Sequence, residues 1–272
     1  AQYNTVAGTN AGDSFTGTDA IDNTLIGYDA GTTITTGDYN TAVGRDALKL
    51  STTGVRNTAI GRGALDANTT GNYNSAVGMN ALGGNTTASE NTALGYQALE
   101  ANTTGTRNVA VGAYTLDANT TANNNSALGY LALSANTTGV DNTAVGIYAL
   151  DVNTTGDKNT GIGAAALSEN TTGDKNTALG YSALANATTV DNNTAVGAYT
   201  LDAAVTGDKN TALGAYALTG NTSGANNIAV GWDALGDNTT GDENTAVGME
   251  ALARNTTANV NTACGYASLY AN

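Results

Sequence analysis

Apolar and polar positions along this chain recur with a fixed period of 17 residues. The run Asn-Thr-Ala-Val-Gly, with small variations, begins at Asn40 and returns at Asn57, Asn74, Asn91 and onward to Asn261 without an insertion or deletion. A weaker copy begins at Asn23, so that 23–272 holds 15 units. The consensus unit reads N-T-A-V-G-x-x-A-L-x-x-N-T-T-G-x-x. Asn at position 1 and Gly at position 5 occur in all 15 units, and position 9 is Leu in all but the first, which has Gly31. Position 4 is Val, Ile or Leu except at Cys264, and position 3 is nearly always Ala.

A unit of this length is too short for a helical-hairpin repeat, which needs about 34 residues. It has no apolar stripe at helical spacing, and glycine interrupts it twice. The piece T-A-V-G instead alternates with the two-residue period of a strand. A-L fits a second short strand, and N-T-T-G fits the turn that closes a coil. The pattern therefore predicts an all-β protein, a parallel β-solenoid of 15 coils of 17 residues. Each position then stacks on its copy about 4.8 Å away. Val at position 4 and Leu at position 9 are expected as interior rows. Asn at positions 1 and 12 is expected as amide ladders, and Ala at positions 3 and 8 as flat faces open to a neighbouring solenoid. Residues 1–22 depart from the repeat and contain the only Phe, Phe15. They read as an atypical N-terminal cap or docking segment ahead of the solenoid, 23–272.

Two large side chains per coil make a thin core. Each contributes roughly 1.5–3 kcal/mol on burial, whereas ordering the backbone costs roughly 1–2 kcal/mol per residue. The expectation is self-association, as a homotrimer around the long axis or as a head-to-tail filament.

Composition narrows the function. The chain has no His and no Pro, a single Cys and a formal net charge of −14. Without His there is no Ser-His-Asp or Cys-His site, and no catalytic, cofactor or metal site is expected. An acidic surface disfavours nucleic acid and anionic membranes. No apolar stretch is long enough to insert across a bilayer. Beginning at Ala1, the sequence reads as a processed form or an excised fragment. Cys264 stands in the position-4 row and is expected to be a buried structural thiol. Gly61-Arg62-Gly63 lacks the strand-loop-helix setting of a phosphate loop. The sequons at Asn68, Asn85, Asn102, Asn119, Asn136, Asn153 and Asn170 fit N-glycosylation formally, and a corner ladder explains their regularity better. The acidic residues around positions 16, 17 and 10, as in Asp157-Lys158, Asp174-Lys175, Asp208-Lys209 and Asp242-Glu243, read as a solvated face, since no calcium-loop spacing is present.

The most informative variable positions are aromatic. Tyr28, Tyr96, Tyr130, Tyr181, Trp232 and Tyr266 occupy position 6. Tyr114, Tyr148, Tyr199 and Tyr216 occupy position 7. Together they make a longitudinal band just past the invariant Gly. Tyr and Trp join apolar area to a polar handle, as contact surfaces require. The band is therefore the candidate contact strip, toward other chains of the same fibre or toward a cell-surface glycan or protein.

The repeated N-T-A-V-G-x-x-A-L-x-x-N-T-T-G resembles the tail-fibre-like surface proteins of bacteria and phages. More loosely, it resembles the head repeats of trimeric autotransporter adhesins, whose units carry an S-x-A-I-G core. The resemblance implies a left-handed parallel β-roll, trimeric assembly and a fibrous adhesive or spacer role at an extracellular, cell or virion surface. The coiled-coil stalk, membrane-anchor barrel and C-terminal chaperone of those families have no counterpart in these residues. The sequence thus points to a non-catalytic structural or adhesive fibre module. The alternative is an ice-binding solenoid with Thr arrays at positions 2, 13 and 14.

Overall fold

The computed structural model describes residues 3–15, 19–203 and 205–271. The protein is an all-β parallel solenoid. It divides into two compact units, 1–138 and 139–272. Each unit contributes eight three-residue strands among the described residues. In the first unit, Thr92–Leu94 pairs in parallel with Val109–Val111, setting Thr92 on Val109, Ala93 on Ala110 and Leu94 on Val111. In the second, Thr177–Leu179 pairs with Thr194–Val196 in the same register. Like position stacks on like position, which is why a single inserted residue would disturb every later contact.

The ladder runs well beyond the strands. In the coil opening at Asn91, the amides of Thr92, Leu99, Ala101 and Thr103 donate to carbonyls of the following coil at 2.9–3.0 Å. Those of Gly95, Gln97 and Arg107 donate to the preceding coil at 2.8–3.3 Å. Asn102 N–H turns back to the Leu99 carbonyl at 3.2 Å. Buried amides must find acceptors, and here they find them in neighbouring coils all the way round.

To turn this tightly, the backbone enters the left-handed region repeatedly. Gln97, Leu99 and Arg107 have φ of 54°, 53° and 58°, and the same three positions repeat this in almost every coil. Position 5 goes further. Gly95 has φ of 144°, and a Cβ there would lie 2.2 Å from the Gly112 carbonyl oxygen. The invariant glycine thus answers both a dihedral and a stacking demand.

The interior corrects two sequence expectations. Leu99, Leu116 and Leu133 are fully buried in one row, as the spacing predicts. Position 4 is not interior. Leu94 and Leu128 are 47% and 49% exposed, whereas Ala93 is 1% exposed and Ala110 is fully buried. The Ala rows at positions 3 and 8 lie inside their own coils and offer no face to a neighbour. The cause is space, because coils this narrow hold one Leu and two methyl groups across the interior. The Asn23 coil makes the same point through a volume exchange. Gly31 stands where Leu is usual, and Leu25 stands where Ala is usual, with its Cδ atoms 2.8 and 2.9 Å from where a Gly31 Cβ would lie.

The segment 1–22 departs from the repeat in sequence, yet its described residues extend the ladder. Thr5–Ala7 pairs in parallel with Thr24–Ile26, and Asn4 Oδ1 accepts the Asn23 N–H at 2.8 Å. This first coil is two residues longer than the rest.

Candidate contact surfaces

Both predicted amide ladders are present. At position 1, Asn74 Oδ1 accepts the Asn91 N–H at 3.0 Å, and Asn91 Nδ2 donates to the Gly105 carbonyl at 2.9 Å. At position 12, Asn85 Nδ2 donates to Asn68 Oδ1 at 2.8 Å and to the Ala88 carbonyl at 3.0 Å. These side chains are fully buried. The sequon asparagines, from Asn68 to Asn170, are therefore enclosed in the folded chain and offer no amide to a glycan.

A further ladder lies at position 16. Asp174 Oδ1 accepts the Asp157 N–H at 2.8 Å, and Asp191 Oδ1 accepts the Asp174 N–H at 2.7 Å. In the first unit Asn72 and Asn123 do the same for Val55 and Thr106. The acidic residues here thus serve as backbone acceptors that Asn can replace. Among the described residues, no group of three or more His, Cys, Asp or Glu is placed to hold a metal ion, and no cavity or cleft opens. Gly61 and Gly63, with φ of 136° and 65°, are ordinary coil corners.

Two outward surfaces remain. The first is the strand face. With Ala turned inward, positions 2 and 4 both point out and set a Thr row beside an aliphatic row. In the first unit the aliphatic row includes Ile26, Ile60, Leu94 and Leu128, 40–49% exposed. In the second it includes Ile162, Leu179, Leu213 and Val247, 37–47% exposed. No charged residue occupies position 2 or 4 in any unit. Cys264 belongs to this row and is exposed, not buried. The sequence signal for the face is the restriction of position 4 to branched aliphatic residues.

The second surface is the aromatic band. In the first unit Tyr96 meets Tyr114 edge-on, with centroids 5.2 Å apart, and Tyr114 meets Tyr130 at 6.3 Å. In the second, Tyr181 meets Tyr199 edge-on at 5.2 Å, Tyr199 stacks on Tyr216 at 5.4 Å, and Tyr216 meets Trp232 at 6.5 Å. Rings at positions 6 and 7 of successive coils thus mesh into a chain. Tyr28 carries the Arg45 guanidinium 5.6 Å above its ring instead. Tyr148 and Tyr266 are 40% and 69% exposed. Desolvation, then the neighbouring tyrosines, hold the Tyr114 and Tyr199 phenols above their ordinary pKa. Burial raises Asp66 and Asp202. Hydrogen bonding to Lys49 lowers Asp46.

Position 17 adds one aromatic pair with an arginine between its rings, which the spacing did not single out. Arg56 lies between Tyr39 and Tyr73, 5.4 and 5.5 Å from their centroids, and its Nη1 donates to the Tyr73 hydroxyl at 2.7 Å. Compared with the models of known protein families and with curated proteins, the chain matches none.

Proposed function

We propose that this chain is a non-catalytic structural and adhesive module of an extracellular fibre, built by association of copies of itself. The observation that carries the reading is the outward strand face. In each unit, a ladder of aliphatic side chains beside threonines, with no charged residue at either position, is an apolar surface of the kind that marks a contact site. A row that follows the coils suits side-by-side packing, so a homotrimer closed around such faces is favoured over a head-to-tail filament. The resemblance of the repeat to tail-fibre-like proteins and adhesin heads supports the same role and a location at a cell or virion surface.

Charge placed on the face tests this. Leu94→Lys with Leu128→Lys, combined with Leu179→Lys and Leu213→Lys, should convert an oligomer to monomer in sedimentation velocity while leaving the circular dichroism spectrum intact. An unchanged oligomer would remove the face from the reading.

A second reading has its own observation. The regular Thr and aliphatic rows, uncharged at both positions, also suit an ice-binding surface. Position 2 shares its face with position 4, not with a second Thr row. Thermal hysteresis from a monomeric chain would favour this reading, and its absence from an oligomeric chain would favour the fibre.

A further inference from the structure

One aromatic arrangement is built twice. The string Gly-Ala-Tyr-Thr-Leu-Asp-Ala occupies 112–118 and recurs five coils later at 197–203, once in each compact unit. Each copy follows a coil with Tyr at position 6, Tyr96 or Tyr181. The local geometry is reproduced as well: the leading ring pair is 5.2 Å apart in both, at 78° and 76°. A third ring follows each pair with its own geometry, Tyr130 edge-on at 6.3 Å in the first and Tyr216 stacked at 5.4 Å in the second.

The same two coils are the only ones in which Thr replaces the buried Ala of position 8. Both threonines are fully buried. Thr115 Oγ1 donates to the Gly129 carbonyl at 2.5 Å, and Thr200 Oγ1 donates to the Gly214 carbonyl at 2.8 Å. Those carbonyls belong to the next coil, at the corner from which its own aromatic residue projects. A buried hydroxyl thus ties the corner of the central Tyr to the corner that follows it in both copies. Each central Tyr is also followed, three residues on, by a half-buried carboxylate, Asp117 or Asp202. Each of these carboxylates acts electrostatically on its tyrosine.

We infer that these paired clusters, Tyr96–Tyr114–Tyr130 with Asp117 and Tyr181–Tyr199–Tyr216 with Asp202, are two binding sites for a neutral polysaccharide. Pyranose rings present C–H faces that pack on aromatic rings and hydroxyls that donate hydrogen bonds. A carboxylate only accepts them. The outer rings are 40–53% exposed, and no cleft surrounds them among the described residues. A small ligand is normally enclosed, so an open platform suits an extended chain that touches several rings in succession. A net charge of −14 disfavours an anionic glycan. Two sites per chain, multiplied by assembly, convert weak contacts into avidity.

This inference rests on the adhesive half of the proposed function and is separable from the assembly half. The test is isothermal titration of the whole chain with neutral hexaoses of glucose, N-acetylglucosamine, mannose and galactose. At least one should bind with two sites per chain. Tyr114→Ser should leave one site, and Tyr114→Ser with Tyr199→Ser should leave none. Ser already occupies this corner at Ser182 with φ of 49°, so the substitution suits the backbone. Asp117→Asn with Asp202→Asn preserves the shape and should weaken binding by about tenfold, as expected for loss of one charge-assisted hydrogen bond per site. Binding by none of the four sugars, or binding that survives the double tyrosine variant, would overturn the inference. Solution mass should be unchanged in all these variants, so a failure here is distinct from a failure of the assembly reading.

Discussion

At position 3 the interior has room for a methyl group and no more. Ala93 is buried while its neighbour Leu94 faces out, the reverse of the usual preference for large apolar groups inside. The same economy appears in Gly161, which stands in the alanine row, and in the exchange of Leu25 against Gly31. Ala93→Leu should therefore cost about 3 kcal/mol or prevent folding, since overpacking a closed core forces the backbone apart. Leu94→Ala should cost under about 1 kcal/mol in the monomer, as substitutions at exposed sites do. Chemical denaturation of the two variants checks the assignment, and similar losses would contradict it.

At the scale of the coil, the asparagine ladders add to a core of one Leu and two Ala side chains. The two asparagine rows are unequal. Position 1 is Asn in every unit. Its oxygen serves the next backbone amide, and its nitrogen serves a carbonyl across the coil. Position 12 tolerates replacement, by Ile34 and Ala187, both buried, and by Ser51, whose hydroxyl is buried without a hydrogen-bond partner. Asn91→Ala should consequently cost about 2 kcal/mol, since it strands the buried Asn108 N–H and removes one of the two donors to the Gly105 carbonyl. Asn102→Ala should cost about 1 kcal/mol. Equal melting temperatures for the two would contradict this ranking. Much of this level was legible in the sequence. The 17-residue spacing gave the coil, the invariant asparagines gave the ladders, and the Leu row gave the core. The parity of T-A-V was not legible from hydrophobicity, because Val is the more apolar residue and the narrow interior excludes it. The informative signal was uniformity of size, since position 3 stays small where position 4 ranges over Val, Ile and Leu. The aromatic band was legible as rows, but its meshing into chains, and the buried threonines beneath two of them, required the geometry.

For the molecule as a whole, charge and assembly remain. Asp66 and Asp202 are half-buried, and burial raises both carboxyls above the ordinary carboxylate range. A raised folded-state pKa means that the native chain holds its proton more tightly than the unfolded one. The stabilisation is fully present below the unfolded pKa and is lost as pH rises through the folded value. Melting temperature should therefore fall as pH rises above the ordinary carboxyl range of about 4. The double variant Asp66→Asn, Asp202→Asn should flatten that fall, and identical pH profiles would contradict the assignment. Assembly is the larger claim, because it gives the outward aliphatic row a partner. The most direct test is light scattering across a dilution series. The account predicts a mass at a small multiple of 27.0 kDa, three for the favoured trimer, which falls toward one chain only on strong dilution. A cooperatively folded chain of 27.0 kDa at every concentration would contradict it and leave the strand face without its proposed occupant.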